Sequence, residues 1–158
     1  MTEDEITRTI DLPLAPAPAW ERFVAGFPDW WPREHCFCGE AALDRVFIDT
    51  QAGIWGEVTT AGQTLPWGAV LANRPAAALS LGWQMDATVS PWVPEGDPAR
   101  ASVIDIAFDP SPGGTRLRLR HHGFSRQGAR HGDAMRAVMI GLDRWQDWLD
   151  LFGNFARR

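Results

Sequence analysis

The sequence predicts an α+β fold in which a strongly curved antiparallel sheet wraps around a long C-terminal helix, in the order β-α-β6-α. Three observations predict it. Six short runs between Leu43 and Phe124 follow one another with a period of two, a stretch near the C-terminus has the period of a helix, and one strand and one short helix precede both. Residues 1–158 are expected to form one domain, because a chain of 158 residues can bury roughly two thirds of its unfolded surface without disulfide or metal staples.

Glu5 to Leu12 (EITRTIDL) alternates apolar and polar residues and then meets Pro13 and Pro16, which end a strand. From Ala17 to Phe27, the residues Trp20, Phe23, Val24 and Phe27 fall at helical spacing, and Gly26 with Pro28 closes the helix. The next stretch, WWPREHCFCG from Trp30 to Gly39, has loop or single-turn character. The runs LDRVFIDT, GIWGEVTTA, TLPWGAVLA, AALSLGWQM, ASVIDIAFD and TRLRLRHHGF follow, separated by turn signals such as Gln51-Ala52-Gly53 and Pro110-Ser111-Pro112-Gly113-Gly114. Their succession predicts an antiparallel meander. The longest connection, Asp86 to Arg100, carries Pro91, Pro94 and Pro98 and reads as a loop covering a pocket mouth. In the last segment Asp133 is the candidate N-cap. Met135, Val138, Met139, Leu142, Trp145, Leu149 and Phe152 then form one apolar stripe on a helix of about twenty residues, near 30 Å long.

Composition narrows the function classes. The net charge is −5, and the only clustered basic residues, Arg116, Arg118 and Arg120, alternate on one strand face and read as a solvated surface, so nucleic acid is not an expected partner. No apolar run approaches the ~20 residues that cross a bilayer, and the acidic N-terminus has no signal-peptide pattern, so no membrane partner and a cytoplasmic location are expected. Two cysteines give no disulfide framework. No Gly-rich phosphate loop and no nucleophile beside a base is visible, and no cofactor is expected.

The motifs Trp30-Trp31-Pro32-x-x-His35, Gly53-x-Trp55-x-Glu57, Trp67-Gly68-x-Val70, Trp83-Gln84, Ser102-x-Ile104-x-Ile106-x-Phe108, Gly114-Thr115-Arg116-Leu117 and His121-x-Gly123-Phe124 occur in one order along nearly the whole chain. As a set they resemble the START-like (SRPBCC) superfamily, and within it the bacterial homologues of the heat shock protein 90 ATPase activator. The resemblance implies a helix-grip fold enclosing an elongated apolar cavity, used by different relatives to carry lipids or hormones, to shape polyketides or to contact a chaperone. It implies no single activity.

Nine tryptophans and no tyrosine favour an aromatic core or a lined cavity, since indole offers a large apolar face and a single donor. The expected cavity residues are Trp31, His35, Trp55, Glu57, Trp67, Trp83, Ile106, Phe108, Leu119, His121, Met135, Met139 and Leu142. Glu57 shares a face with Trp55, and His121 lies opposite the arginines. If buried, each must be paired or neutral, and a Glu57–His121 pair would anchor the polar end of a ligand. His35 with Cys36 and Cys38 suggests a metal knuckle, but structural zinc sites pair such a cluster with a second one; there is no second cysteine pair, and His121, His122 or His131 would have to supply the fourth ligand, so no metal is expected and the cysteines read as loop residues. The first expectation is a binding module, not an enzyme, for a small hydrophobic or amphipathic molecule. The alternatives are a polyketide cyclase-like or aromatase-like enzyme with Glu57 and His121 as acid and base, and a domain that contacts a chaperone or forms a homodimer.

Overall fold

A computed structural model of the chain describes residues 4–89 and 92–158. Strand β1 (Glu5–Leu12) leads into helices α1 (Pro16–Ala25) and α2 (Phe27–Trp30). Strands β2 (Leu43–Asp49), β3 (Ile54–Thr59), β4 (Thr64–Arg74) and β5 (Ala78–Trp83) follow, then a two-residue pair, β6 (Met85–Asp86) with β7 (Val93–Pro94). The long strands β8 (Ser102–Ser111) and β9 (Gly114–His122) precede helices α3 (Ala129–Gly141) and α4 (Arg144–Ala156). The main sheet has seven antiparallel strands in the order β1-β9-β8-β5-β4-β3-β2. The first and last strands of the chain therefore pair, while α1 and α2 carry it to the opposite edge.

The alternation read from the sequence decides which face is covered. On β9, Thr115, Leu117, Leu119 and His121 point inward and the arginines outward; on β8, Ser102, Ile104, Ile106 and Phe108 point inward. The outer arginines meet acids on neighbouring strands: Arg116 Nε lies 2.9 Å from Asp11, Arg118 Nε 2.6 Å from Asp109, and Arg120 pairs with Glu5. They form a solvated charged surface. On the inner face, Phe23 of α1 packs edge-on against Phe108 and Phe152, with ring centroids 5.7 and 5.0 Å apart. The helix breaks at Gly26, where a side chain would overlap the Arg22 carbonyl and the Phe155 ring, so α2 starts as a separate turn.

The reading of the C-terminal segment needs correction. The C-terminal stripe is split between two helices. Gly128, at φ 85°, precedes α3, which therefore begins before Asp133, and the chain turns between α3 and α4 at Asp143, a non-glycine residue at φ 45° held by Arg8 Nε at 2.9 Å. Apolar spacing persists in each half, with Met135 and Met139 buried on α3 and Trp145, Trp148, Leu149 and Phe152 on α4, so periodicity conceals the break. Leu142 falls at the break and is 54% exposed; it lines nothing. The described residues of the proline-rich connection carry short pieces of regular structure. They hold the β6–β7 pair and a single turn at Pro98–Arg100, tied down by Arg100, which donates to Glu95 Oε2 and to the Gln127 carbonyl. Pro91 lies outside the described residues. None of the described helices is long and apolar enough to cross a membrane.

Candidate functional site

The inner face carries a chain of aromatic rings. Trp67, Trp55 and Trp83 follow one another across β4, β3 and β5 with centroids 5.2 and 5.9 Å apart, and Trp83 continues to His121 at 5.1 Å. Trp55 Nε1 donates to the Gly82 carbonyl at 2.7 Å, in a place where strands β4 and β5 approach so closely that a side chain on Gly68 would overlap that same carbonyl. Buried indoles need a partner for their single N–H: backbone carbonyls serve Trp30, Trp31 and Trp55, the side chains of Glu57, His121 and His35 serve Trp67, Trp145 and Trp148, and Trp20 Nε1 is buried without one.

Glu57 and His121 stand at opposite ends of this chain of rings. Both are fully buried. Glu57 Oε1 accepts from the Phe37 amide and from Trp67 Nε1, each at 2.7 Å, and Oε2 accepts from the Cys38 amide at 2.9 Å. His121 Nδ1 accepts from Trp145 Nε1 at 3.0 Å, so Nε2 carries the proton and donates to Ser102 Oγ at 2.8 Å. Burial, and then the neighbouring His122, pushes the His121 pKa down to about 3. The expected Glu57–His121 pair is absent: β3 and β9 are four strand spacings apart, roughly 19 Å along the sheet. General acid–base chemistry needs both groups within reach of one substrate, and this arrangement does not supply that. Each residue instead fixes its own neighbourhood, Glu57 the 31–39 loop and His121 the start of α4.

The space expected between sheet and C-terminal helix is filled by side chains. Ile106, Phe108, Leu119, Met135 and Met139 are buried core residues, and Trp83 Nε1 points at the Met135 sulfur at 3.3 Å. The pocket lies to one side, where the 31–39 loop, the end of β5 with Met85 and Trp92, and the first turns of α4 meet. It holds about 250 Å³. Trp31, Trp67, Trp83, Trp92 and Trp148 wall it with Phe37 and Met85, and Glu34, His35, Cys36 and Arg144 supply its polar groups. Four of the expected cavity residues, Trp31, His35, Trp67 and Trp83, line it; Trp55, Glu57 and His121 lie behind its walls. Sequence reading missed Glu34, Cys36, Phe37, Met85, Trp92, Arg144 and Trp148. For Arg144 and Trp148 a signal existed, since a spacing of four places them on one side of a helix. A larger hollow of about 560 Å³ on the outer face of the sheet is lined by Arg74, Arg118, Arg120 and Asp105 among smaller side chains; Asp105 already bonds Ser80 and His122, and no aromatic ring walls the hollow.

Local bonds explain why the loop turns its aromatic side inward. Trp31 Nε1 donates to the His35 carbonyl at 2.9 Å, closing a tight turn, and its ring packs on Trp148 with centroids 4.4 Å apart. His35 Nδ1 accepts from Trp148 Nε1 at 2.8 Å. The imidazole therefore points away from the cysteines, and the three-ligand knuckle that the sequence suggests is not formed. Cys36, Cys38 and Glu57 do bring one ligand atom each within 4.8 Å of one another, yet both oxygens of that carboxylate already accept N–H bonds. Burial, and then the Glu57 carboxylate, raises the pKa of Cys36 and pushes that of Cys38 up to about 12. Because only the thiolate attacks, iodoacetamide at pH 8 should label the folded protein far more slowly than the unfolded chain; equal rates would show that the burial of these thiols is lost in solution.

Comparison with solved structures bears on this fold. CalC from Micromonospora echinospora, a self-sacrificing resistance protein, is similar with a TM-score of 0.68 and 21% identity, over 99% of this chain and 96% of CalC. An AHSA1-like protein from Aeromonas hydrophila is similar with a TM-score of 0.59 and 12% identity, over 97% of this chain and 92% of that one. The anthrahydroquino-gamma-pyrone synthase Txn09 gives 0.53 and 24%, over 87% and 90%. No protein-family model and no curated protein matches the chain. A curled antiparallel sheet closed by C-terminal helices is the helix-grip architecture. These three solved structures share that fold with the chain.

Proposed function

We propose that the protein binds a small, largely apolar molecule in the pocket beside α4. The observation that carries this reading is the wall of five indoles around about 250 Å³, with only a few polar groups placed at its edge. Apolar walls with a few fixed polar groups are the usual composition of a ligand site, and the volume, below the roughly 300–1,000 Å³ of sites for drug-sized molecules, suits a body of one or two rings or a short chain. CalC, a resistance protein, and Txn09, a synthase, share this fold with roles that differ from one another, so the pocket's own lining carries the reading.

Isothermal titration with a panel of one- and two-ring aromatics and short aliphatic chains tests the reading. Saturable binding should weaken about tenfold in Trp92→Ala, the loss expected when one large aromatic contact of a small ligand is removed. Trp92 is half-buried, so the fold should tolerate the change. A panel without a single saturable binder would end the proposal.

A further inference from the structure

His35 faces a donor at each ring nitrogen. Trp148 Nε1 lies 2.8 Å from Nδ1, and Arg144 Nη1 lies 3.1 Å from Nε2. Indole and guanidinium only donate, and a neutral imidazole has one lone pair to offer, so one of its nitrogens carries a proton toward another donor. Trp148 is buried and makes the shorter contact, which assigns the lone pair to Nδ1 and the proton to Nε2, facing Arg144. Burial, and then the charge of Arg144, lowers the His35 pKa, which favours this neutral form; the exposed Glu34 and Asp147 carboxylates act in the opposite direction but bond to neither group. Arg144 makes no ion pair among the described residues. As the first residue of α4 it also stands at the positive end of that helix. Two hydrogen-bond donors, one of them charged, thus converge at the edge of an aromatic pocket, and among the described residues no acceptor serves them.

We propose that the pocket takes an organic acid, a carboxylate on a planar aromatic body, with one carboxylate oxygen accepting from His35 Nε2 and the other from the Arg144 guanidinium. The inference rests on the pocket reading above and gives it a ligand class. The carboxylate supplies the acceptor that His35 and Arg144 lack, and the ring system lies against Trp31, Trp148 and Trp67. Charge-assisted bonds to such a fork are the strong ones, and an uncharged isostere cannot replace them.

Isothermal titration with naphthalene-2-carboxylate and with naphthalene-2-carboxamide separates the two claims. The acid should bind at least ten-fold more tightly than the amide at pH 7.5, and Arg144→Met should bring that ratio close to one. Circular dichroism of the variant checks that it is folded, and the comparison within the natural protein needs no variant at all. Equal affinities for acid and amide would overturn the organic-acid assignment and leave the apolar pocket standing. Binding of neither would overturn the organic-acid assignment, and the pocket reading falls with it when the wider panel of aromatics and aliphatic chains also holds no binder.

Discussion

Glu57→Ala should destabilise the fold by about 3–5 kcal/mol, lowering the melting temperature by roughly 10 °C for a chain of this size. The carboxylate takes N–H bonds from Phe37, Cys38 and Trp67, all within 2.9 Å, in a fully buried position on β3. Alanine leaves those three donors without an acceptor and opens a void beside Trp67. Each orphaned donor costs about 1–3 kcal/mol, offset in part because the carboxylate no longer has to be desolvated and because the half-buried loop can admit water. Glu57→Gln should fall between, since its oxygen keeps two of the bonds while its NH2 group opposes the third donor. Urea and thermal unfolding should give the order Glu, Gln, Ala. The loop also carries Trp31, His35, Cys36 and Phe37 into the pocket, so the alanine variant should lose ligand affinity as well. Three equally stable proteins would mean that aromatic packing alone holds the loop.

The sequence exposed the layers of this fold more fully than its site, for reasons visible in particular residues. Alternation over Ser102 to Phe108 and Thr115 to His121 survives because one face of the sheet is covered and the other is wet, so the period of two is enforced residue by residue. The break at Leu142 and Asp143 was hidden because each half of the C-terminal segment keeps its own apolar stripe. Among the nearby residues only Gly141, and a positive φ that sequence does not display, mark the turn. The pocket was harder to locate because it is built where three segments distant in sequence meet. Trp148 donates to His35 across 113 positions, and Arg144 reaches it across 109. Buried polar residues were legible as residues in need of partners, but their partners were not. Glu57 and His121 looked like a pair because both are ionisable and inward-facing, whereas backbone amides and indoles satisfy them separately.

His121 should make the protein sensitive to mild acid in a way that can be isolated. In the unfolded chain its imidazole titrates near 6.5; in the folded protein, with Trp145 donating to Nδ1 and no room to hydrate a cation, it stays neutral down to about pH 3. Between those two values the unfolded state binds the extra proton. The contribution is therefore fully present above pH 6.5 and is lost as the pH falls toward 3. Linkage gives a loss of about 2 kcal/mol from pH 7 to pH 5, and about 4–5 kcal/mol by pH 3. His121→Phe should be less stable than the natural protein at pH 7, because the Trp145 N–H and the Ser102 hydroxyl lose their partner, but the gap should shrink by about 2 kcal/mol on going to pH 5. His35, His122 and the carboxylates are common to both proteins, so they largely cancel in that difference. Urea unfolding of the two proteins at pH 7, 6 and 5 reads it directly. Parallel stability profiles would show that His121 is hydrated or charged in the folded protein, and that the aromatic chain does not close over it.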